Sequence, residues 1–408
     1  MISTHGMTRP ADLSDVRTTN LAVVLRFVRT HAPCSRADIA ASTGLNKATV
    51  SSLVTDLLER RLLRETGLTE NRIGRPASML TLQSRPYAAI GIELAADHLV
   101  AIAVDLTGER LLTWRRAHPG LNGTAGRAEA AVAALAGRVV AKMAAQERRV
   151  LGLTVGAPGL VGPGGGVRFA PHLGRTELDL GTALARGLRH PEFDVVIDSA
   201  ANLAALAEHR IGAEADTPNM LTLIGDVEIG AGIVADGRTL RGGRGFAGQA
   251  GHLQVDCAGP RCRCGRQGCL EAVAGLPALV RRALPDTVRD GPVTDFAPEL
   301  ERITALAGNG DAHVTAALAE TGRLLGRGVS MLTELLDPQV VVLGGSFAAL
   351  ARWLLPAVEA ELASRAAVPG DPGCRVTAST LHPDAAALGG AMLALDRLEA
   401  GKLPAPAA

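Results

Sequence analysis

The chain has 408 residues, a formal net charge of +1 and a hydrophobic content of 47%. This length predicts about two to three domains, and the hydrophobic content is sufficient for sizeable cores. The longest apolar stretch, residues 88–106, is interrupted by Glu93, Asp97 and His98, which excludes a membrane span there. No basic start followed by an apolar run is visible, so we expect no signal peptide and a cytoplasmic protein.

The charge is unevenly distributed along the chain. The first 86 residues contain 12 Lys and Arg but only 7 Asp and Glu, whereas the remainder carries a small acidic excess. A basic module at one end of an acidic body indicates a nucleic-acid contact at that end, although an excess of this size is common.

The N-terminal segment has the pattern of a helix-turn-helix motif. A first helix is predicted from an apolar stripe at helical spacing, formed by Leu21, Val24, Leu25 and Val28. Ser35 and Asp38 stand at capping-box spacing at the start of a short helix over residues 36–42. Gly44 supplies a turn, and Asn46 can cap a longer helix. The apolar face of that second helix comprises Val50, Leu53, Leu57 and Leu58. This succession is typical of helix-turn-helix proteins.

A two-stranded wing is predicted next. Residues 62–66 form one strand, residues 67–76 form a polar tip that contains Arg72 and Arg75, and the alternating residues 77–82 form the return strand. With the preceding helices, this hairpin predicts a winged helix.

The second helix of the motif begins with small and amide side chains, which allow close approach to the major groove. Ser and Thr side chains can also hold phosphates, and the wing arginines suit a narrow minor groove. The candidate DNA-binding residues are Arg36, Asn46, Lys47, Ala48, Thr49, Ser51, Ser52, Arg72 and Arg75. Two alternatives stay open: a winged helix that binds protein, and Asn46 acting only as a helix cap.

The body of the chain alternates short apolar runs with alanine-rich helical stretches. The predicted strands cover residues 88–93, 99–105, 150–155, 195–198, 220–224 and 340–343, and the helical stretches include residues 127–145, 202–211 and 312–336. This alternation predicts an α/β fold in which helices cover the sheets.

A dense group of metal ligands lies within the body. Four of the six cysteines fall in residues 257–269, shortly after a histidine. A complete tetrahedral set for Zn²⁺ is provided by His252, Cys262, Cys264 and Cys269. Four protein ligands leave no open position, so the ion would be structural. The alternatives are a disulfide or redox thiols, but Cys262 and Cys264 are too close to pair comfortably. Cys257 is left as a spare thiol.

Residues 242–271 resemble the signature of the ROK family, which contains bacterial sugar kinases and sugar-responsive repressors. The family pattern is Gly-x-x-Gly-x-Ala-Gly-Glu-x-Gly-His, followed by Cys-x-Cys-Gly-x-x-Gly-Cys-x-Glu. Here Gln249 stands where the family usually has Glu, and residues 74–76 match the Gly-Arg-Pro of ROK repressor wings. The resemblance covers roughly residues 17–395. It implies an actin-like, ribonuclease-H-type pair of lobes with a cleft between them, preceded by the winged helix.

The resemblance also shows which kinase parts are missing. The first phosphate loop of the kinases usually reads Asp-x-Gly-Gly-Thr-Lys, whereas residues 93–98 read Glu-Leu-Ala-Ala-Asp-His. The catalytic base of the kinases falls on Ala200, and Asp226 and Glu228 would repel a triphosphate. The resemblance therefore implies no catalytic residue, with Asp198 as the one alternative base.

The sugar site of the family is partly retained. His172 replaces the Asn of a Pro-Asn-Leu motif and Gln249 replaces a Glu, while His252 and Glu271 are unchanged. The resemblance implies that these four residues bind a sugar or sugar-like ligand. A different polyol or no ligand at all stays open, and Glu271 has the alternative of a salt bridge under the metal loop.

The sequence predicts a DNA-binding transcriptional regulator, a sugar-responsive repressor rather than an enzyme. The expected parts are an N-terminal tail (1–16), the winged helix-turn-helix domain (17–83), the ROK domain for effector binding and oligomerisation (88–395) and a C-terminal tail (396–408). We expect a homodimer or tetramer on a palindromic double-stranded DNA operator. The alternatives are an ATP-dependent sugar kinase and a ligand-independent DNA-binding regulator.

Overall fold

The computed structural model describes residues 13–68, 78–117, 126–170, 177–287, 296–366, 368 and 373–405. Three residues named above, Arg72, Arg75 and His172, lie outside these ranges. Within the described ranges, no helix combines the length and the apolar character needed to cross a bilayer.

The N-terminal domain is a winged helix, as predicted. Its elements are α1 (Leu13–His31), β1 (Cys34–Ser35), α2 (Arg36–Thr43), α3 (Lys47–Glu59), β2 (Leu63–Leu68) and β3 (Ser78–Leu82). The strands form an antiparallel sheet in the order β1-β3-β2. The capping box of Ser35 and Asp38 is formed at the start of α2, and Gly44 ends α2 at φ 73°, a value that favours glycine. On α3 the buried residues are Val50, Leu53, Val54 and Leu57. Val54 does not belong to the predicted apolar face, and the predicted Leu58 is only partly buried.

The first lobe of the body is built on a five-stranded sheet. Its strands are β4 (Tyr87–Leu94), β5 (His98–Val104), β6 (Arg110–Ala117), β7 (Arg149–Ala157) and β10 (Asp194–Ser199), in the order β10-β7-β4-β5-β6. Helices α4 (Arg127–Ala145) and α5 (Leu180–Gly187) and the hairpin β8 (Leu160–Val161) and β9 (Val167–Phe169) complete it. Residues 88–92 of β4 are all apolar, because Ala89 and Ile90 point into cores on opposite faces of the sheet.

The second lobe repeats this plan. Its sheet has the order β13-β12-β11-β14-β15, with strands β11 (Met220–Gly225), β12 (Ile229–Ala235), β13 (Arg238–Thr239), β14 (Val340–Gly345) and β15 (Arg375–Ala378). Its helices are α7 (Leu270–Ala274), α8 (Leu276–Ala283), α9 (Ala297–Gly308), α10 (Ala312–Leu336), α11 (Ser346–Ala349) and α12 (Ala351–Arg365). In both lobes three antiparallel strands are followed by two parallel ones, which confirms the predicted actin-like fold.

Two helices connect the lobes. Helix α6 (Ala200–Ile211) packs on β11 and β12 of the second lobe, and helix α13 (Ala385–Glu399) packs on β4 and β7 of the first. The two helices also pack on each other, and at Gly389 a side chain would clash with the Leu203 carbonyl oxygen. This backbone contact fixes the junction that lies behind the cleft.

The winged helix and the body share one hydrophobic core. Leu25 and Val28 of α1 are buried in the same cluster as Leu395 and Leu398 of α13. Helix α1 begins at Leu13, before the expected domain start at residue 17, and α13 continues to Glu399, past the expected domain end at residue 395. The last turn of α13 contributes Leu398 to the core that it shares with α1.

Candidate functional site

The start of α3 forms the candidate DNA-binding surface. The exposed residues there are Asn46, Lys47, Ala48, Ser51 and Ser52, while Thr49 is partly exposed. The Thr49 backbone N–H donates to Asn46 Oδ1 at 2.8 Å, so Asn46 caps α3 through its oxygen. The exposed small side chains leave room for close approach to a groove.

Two arginines near this surface are already paired. Arg36, a candidate phosphate contact, forms an ion pair of 2.8 Å with Glu65 of β2, so a DNA contact by Arg36 competes with that pair. Arg17 of α1 donates to Ser52 Oγ at 3.3 Å and pairs with Asp56 at 3.0 Å. The sequence contains no sign of the contacts of Arg17, because its partners Ser52 and Asp56 lie 35 and 39 residues further along the chain.

The four candidate metal ligands converge. Cys262 Sγ lies 3.7 Å from His252 Nδ1, and Cys264 Sγ lies 3.7 Å from Cys269 Sγ. All four ligand atoms lie within 4.8 Å of one another. Tetrahedral coordination at Zn–S bonds of about 2.3 Å requires sulfur–sulfur edges of about 3.8 Å, so this set can hold a metal ion. The sulfur atoms are too far apart for a disulfide.

The loop around the cluster is tightly folded. Burial raises the pKa of Cys262, and it raises the pKa of Cys269 to about 12, so both thiols stay protonated unless a cation displaces the protons. Gly268 adopts φ +65°, and a side chain there would collide with the Asp256 carbonyl oxygen. Cys257 is exposed and lies outside the cluster, consistent with a spare thiol.

A cavity of about 110 Å³ lies between the lobes, next to the metal cluster. Gln249, His252 and Glu271 all line it, so three of the four predicted ligand residues are brought together. Glu271 Oε2 also accepts the backbone N–H of Ile229 at 3.1 Å. That bond anchors α7, which follows the metal loop, to the start of β12.

The position of the kinase base is apolar. Ala200 lines the cavity, whereas Asp198 does not. Asp198 is buried and pairs with Arg241 at 2.6 Å. It also accepts Asn202 Nδ2 at 3.1 Å and the Ser199 backbone N–H at 2.8 Å. Because its oxygens are directed at these donors, Asp198 is not placed to activate a sugar hydroxyl.

The phosphate side of the cleft holds carboxylates. Asp226 Oδ1 accepts both the backbone N–H and the hydroxyl of Ser346, at 2.8 and 2.7 Å, at the start of α11. An internal carboxylate thus occupies the start of this four-residue helix. Asp97 holds the His98 imidazole at 2.5 Å. Sequence analysis flagged Asp226 but not its partner, which lies 120 residues away.

Glu93, at the end of β4, lines this cavity and a neighbouring one of about 460 Å³. Burial raises the pKa of Glu93 to about 7, and the carboxylates of Asp226 and Asp97 act in the same direction against the charge of His98. Burial alone would lower the pKa of His98, but its hydrogen bond to Asp97 and the charge of Glu93 raise it. The phosphate side is therefore electrostatically negative.

Comparison with known proteins identifies the family. A model of the ROK family matches residues 89–397, and a model of the MarR family matches residues 22–70. The chain therefore belongs to the ROK family, and it carries a MarR-type winged helix at its N-terminal end.

Its relatives include named regulators. It is 29% identical over 360 residues to the DNA-binding transcriptional dual regulator NagC of Escherichia coli K12, covering 87% of each chain. It is 27% identical to the xylose repressor of Bacillus subtilis, covering 95% of this chain and 97% of the repressor.

Solved structures include both branches of the family. A ROK family transcriptional regulator described as a homolog of the E. coli MLC protein superposes with a TM-score of 0.78 at 26% identity, covering 95% of this chain and 98% of that one. A ROK glucokinase from Streptomyces griseus, in complex with glucose and AMPPNP, has a TM-score of 0.65 at 27% identity and covers 75% of this chain and 98% of its own.

Proposed function

We propose that this protein is a DNA-binding transcriptional repressor that leaves its operator when a sugar or sugar-like ligand binds between its lobes. The observation that carries the proposal is a winged helix sharing one hydrophobic core with a ROK body that keeps Gln249, His252 and Glu271 at the cleft. The similarity to NagC and to xylose repressors supports it. A homodimer or tetramer would place paired winged helices on a palindromic operator.

In this proposal α3 enters the major groove. Lys47 holds a phosphate, and Asn46 presents its amide nitrogen to a base edge while its oxygen caps the helix. Ala48, Thr49, Ser51 and Ser52 permit the close approach. The wing residues Arg72 and Arg75 are proposed for the minor groove on the sequence pattern alone.

The metal in this proposal is one structural Zn²⁺, held by His252, Cys262, Cys264 and Cys269. The ion would fix the loop between β13 and α7 and would orient His252 at the edge of the cavity. His252 would thus take part in both ligand binding and metal binding.

The body transfers no phosphate in this proposal. Three observations support the absence of kinase activity. Ala200 stands where the kinases have their catalytic base, Asp198 is paired with Arg241, and Asp226 occupies the start of α11. The kinase alternative requires a base and an open phosphate site, and phosphoryl transfer depends on such positioning.

A route from the cleft to the DNA-binding domain is part of the proposal. Helix α6 begins at Ala200 beside the cavity and ends near Arg210, which pairs with Asp396 of α13 at 3.2 Å. Asp396 in turn lies 3.7 Å from Arg29 of α1. A change in the angle between the lobes therefore moves helices that are in contact with α1.

The direct test is selection of operator sequences from random DNA with the full-length protein, followed by titration of variants. Lys47→Ala should weaken binding to all sequences and reduce the slope of log affinity against log salt by about 1. Asn46→Ala should relax preference at one base. Lys142→Ala removes an equal charge from an exposed site on α4 and should change nothing. Recovery of no preferred sequence would overturn the proposal.

A further inference from the structure

The cleft has two chemically different halves. One half presents Gln249, His252 and Glu271, which can hydrogen-bond hydroxyl groups. The other half presents carboxylates from two segments of the chain, namely Glu93 and Asp97 from one and Asp226 and Glu228 from the other. Among the described residues that line this cavity there is no Lys or Arg. A ligand that spans both halves therefore meets a negative potential at one end.

Arg115 offsets this charge only in part, because other acceptors hold its guanidinium group. Arg115 lines the neighbouring cavity, where it pairs with Asp384 at 3.0 Å and contacts the Pro383 carbonyl oxygen at 3.3 Å. Two of the carboxylates are also engaged, since Asp226 accepts from Ser346 and Asp97 accepts from His98.

Glu93 is different from these neighbours. Within the described part of the chain its carboxyl group has no hydrogen bond and no ion pair, although it lies between the two cavities. An ionised carboxylate in such a site is destabilising unless a donor or a cation faces it. Glu93 therefore lacks a partner that a bound ligand can supply.

Resting on the function proposed above, we propose that the ligand of this cleft is an amino sugar. Its hydroxyl groups lie against Gln249, His252 and Glu271, and its protonated amine lies beside Glu93. The same geometry disfavours sugar phosphates, because a phosphate monoester brings close to two negative charges into the carboxylate half. The cleft thus selects for positive charge at the end where kinases of this fold accommodate phosphate.

The test is calorimetric titration of the full-length protein with matched ligands. Glucose and N-acetylglucosamine are each compared with their 6-amino-6-deoxy and 6-phosphate derivatives, and glucosamine is added to the first series. Wherever the parent sugar binds, its amino derivative should bind at least about tenfold more tightly, as expected for a charge-assisted hydrogen bond. The phosphate should bind more weakly than the parent.

Variants locate the effect. Glu93→Gln should reduce the affinity for the amine to that for the parent sugar and leave the parent unchanged. Glu109→Gln removes the same charge from an exposed position outside the cavity and should alter neither. Melting curves and operator binding without ligand establish that both variants are folded.

The outcomes separate this proposal from the function on which it rests. Tighter binding of a 6-phosphate, or equal binding of amine and parent, would overturn the amino-sugar assignment and leave a sugar-responsive repressor in place. Failure of every sugar to bind a protein that still recognises its operator would overturn both, in favour of a ligand-independent regulator.

Discussion

Arg29 of α1 and Glu399 of α13 form an ion pair of 2.7 Å that joins the DNA-binding domain to the last helix of the ROK domain. The Glu399 side chain is only 8% exposed and also pairs with Arg26 at 3.1 Å. Because both arginines belong to α1, this one carboxylate holds two turns of the helix against the body. The orientation of the winged helix is therefore set by contacts with the same helix that connects the lobes.

Replacing Glu399 by Gln should destabilise this joint, since it leaves two arginines without their shared counter-charge. The expected loss in free energy of unfolding is about 1–3 kcal/mol, because the carboxylate is largely removed from solvent. Urea unfolding measures it. A Glu399→Gln protein as stable as the original would show that the apolar core alone holds the domains together.

The metal cluster predicts one Zn²⁺ per chain in protein purified without chelator. Cys264→Ala should lose the ion and lower the melting temperature, because three remaining ligands bind zinc more weakly and the loop before α7 is released. Metal analysis by mass spectrometry and thermal unfolding give the readouts. Cys257→Ala is the matched control, since Cys257 is exposed and outside the cluster, and it should keep the full metal content. Metal-free protein with unchanged stability would contradict the assignment.

Glu93 predicts a pH-dependent stability. The pKa of Glu93 is raised by burial from an ordinary 4.5 to about 7, with contributions from Asp226 and Asp97 opposed by His98 and Arg115. The neutral carboxyl therefore stabilises the fold fully below pH 4.5, and this contribution is lost as pH rises through about 7.

Glu93→Gln stays neutral at every pH. The Glu93→Gln protein should therefore gain stability relative to the original protein as pH rises from 5 to 8.5. The difference in free energy of unfolding should reach about 3 kcal/mol, because a difference of one in pKa corresponds to about 1.4 kcal/mol. Urea unfolding at several pH values checks this. A difference that stays constant or reverses with pH would show that Glu93 is solvated or paired.

Phosphoryl transfer should be absent and should not be restored by one substitution. Ala200→Asp supplies a base, but Asp226 still occupies the start of α11 and no glycine loop stands at residues 93–98. Calorimetry with Mg-ATP and a radiolabelled transfer assay over common hexoses should both give blanks, with a ROK glucokinase as the positive control. Transfer by the unaltered protein would return the kinase alternative to first place.

The parts of the fold that sequence predicts are those set by local chemistry. The capping box of Ser35 and Asp38, the turn at Gly44 and the four metal ligands follow from residue types at fixed short spacing. Sheet order follows from the family resemblance, because periodicity within one strand carries no information about its neighbour.

The contacts that sequence missed are long-range. Asp226 meets Ser346, Asp198 meets Arg241 and Arg29 meets Glu399 only after the lobes have folded. A carboxylate without a partner, such as Glu93, is likewise a property of a three-dimensional environment. Leu398 lies in the segment expected to be a C-terminal tail, and only the position of α1 explains why it is buried.

In the proposed function, ligand occupancy of the cleft controls DNA binding. Fluorescence anisotropy of a labelled, selected operator bound to the full-length protein measures this control, with each sugar of the calorimetric series added at constant salt. An amino sugar should release the operator, and the Glu93→Gln protein should require roughly tenfold more of it. Operator binding that no sugar alters, in a protein that binds the same sugar by calorimetry, would contradict the proposed control.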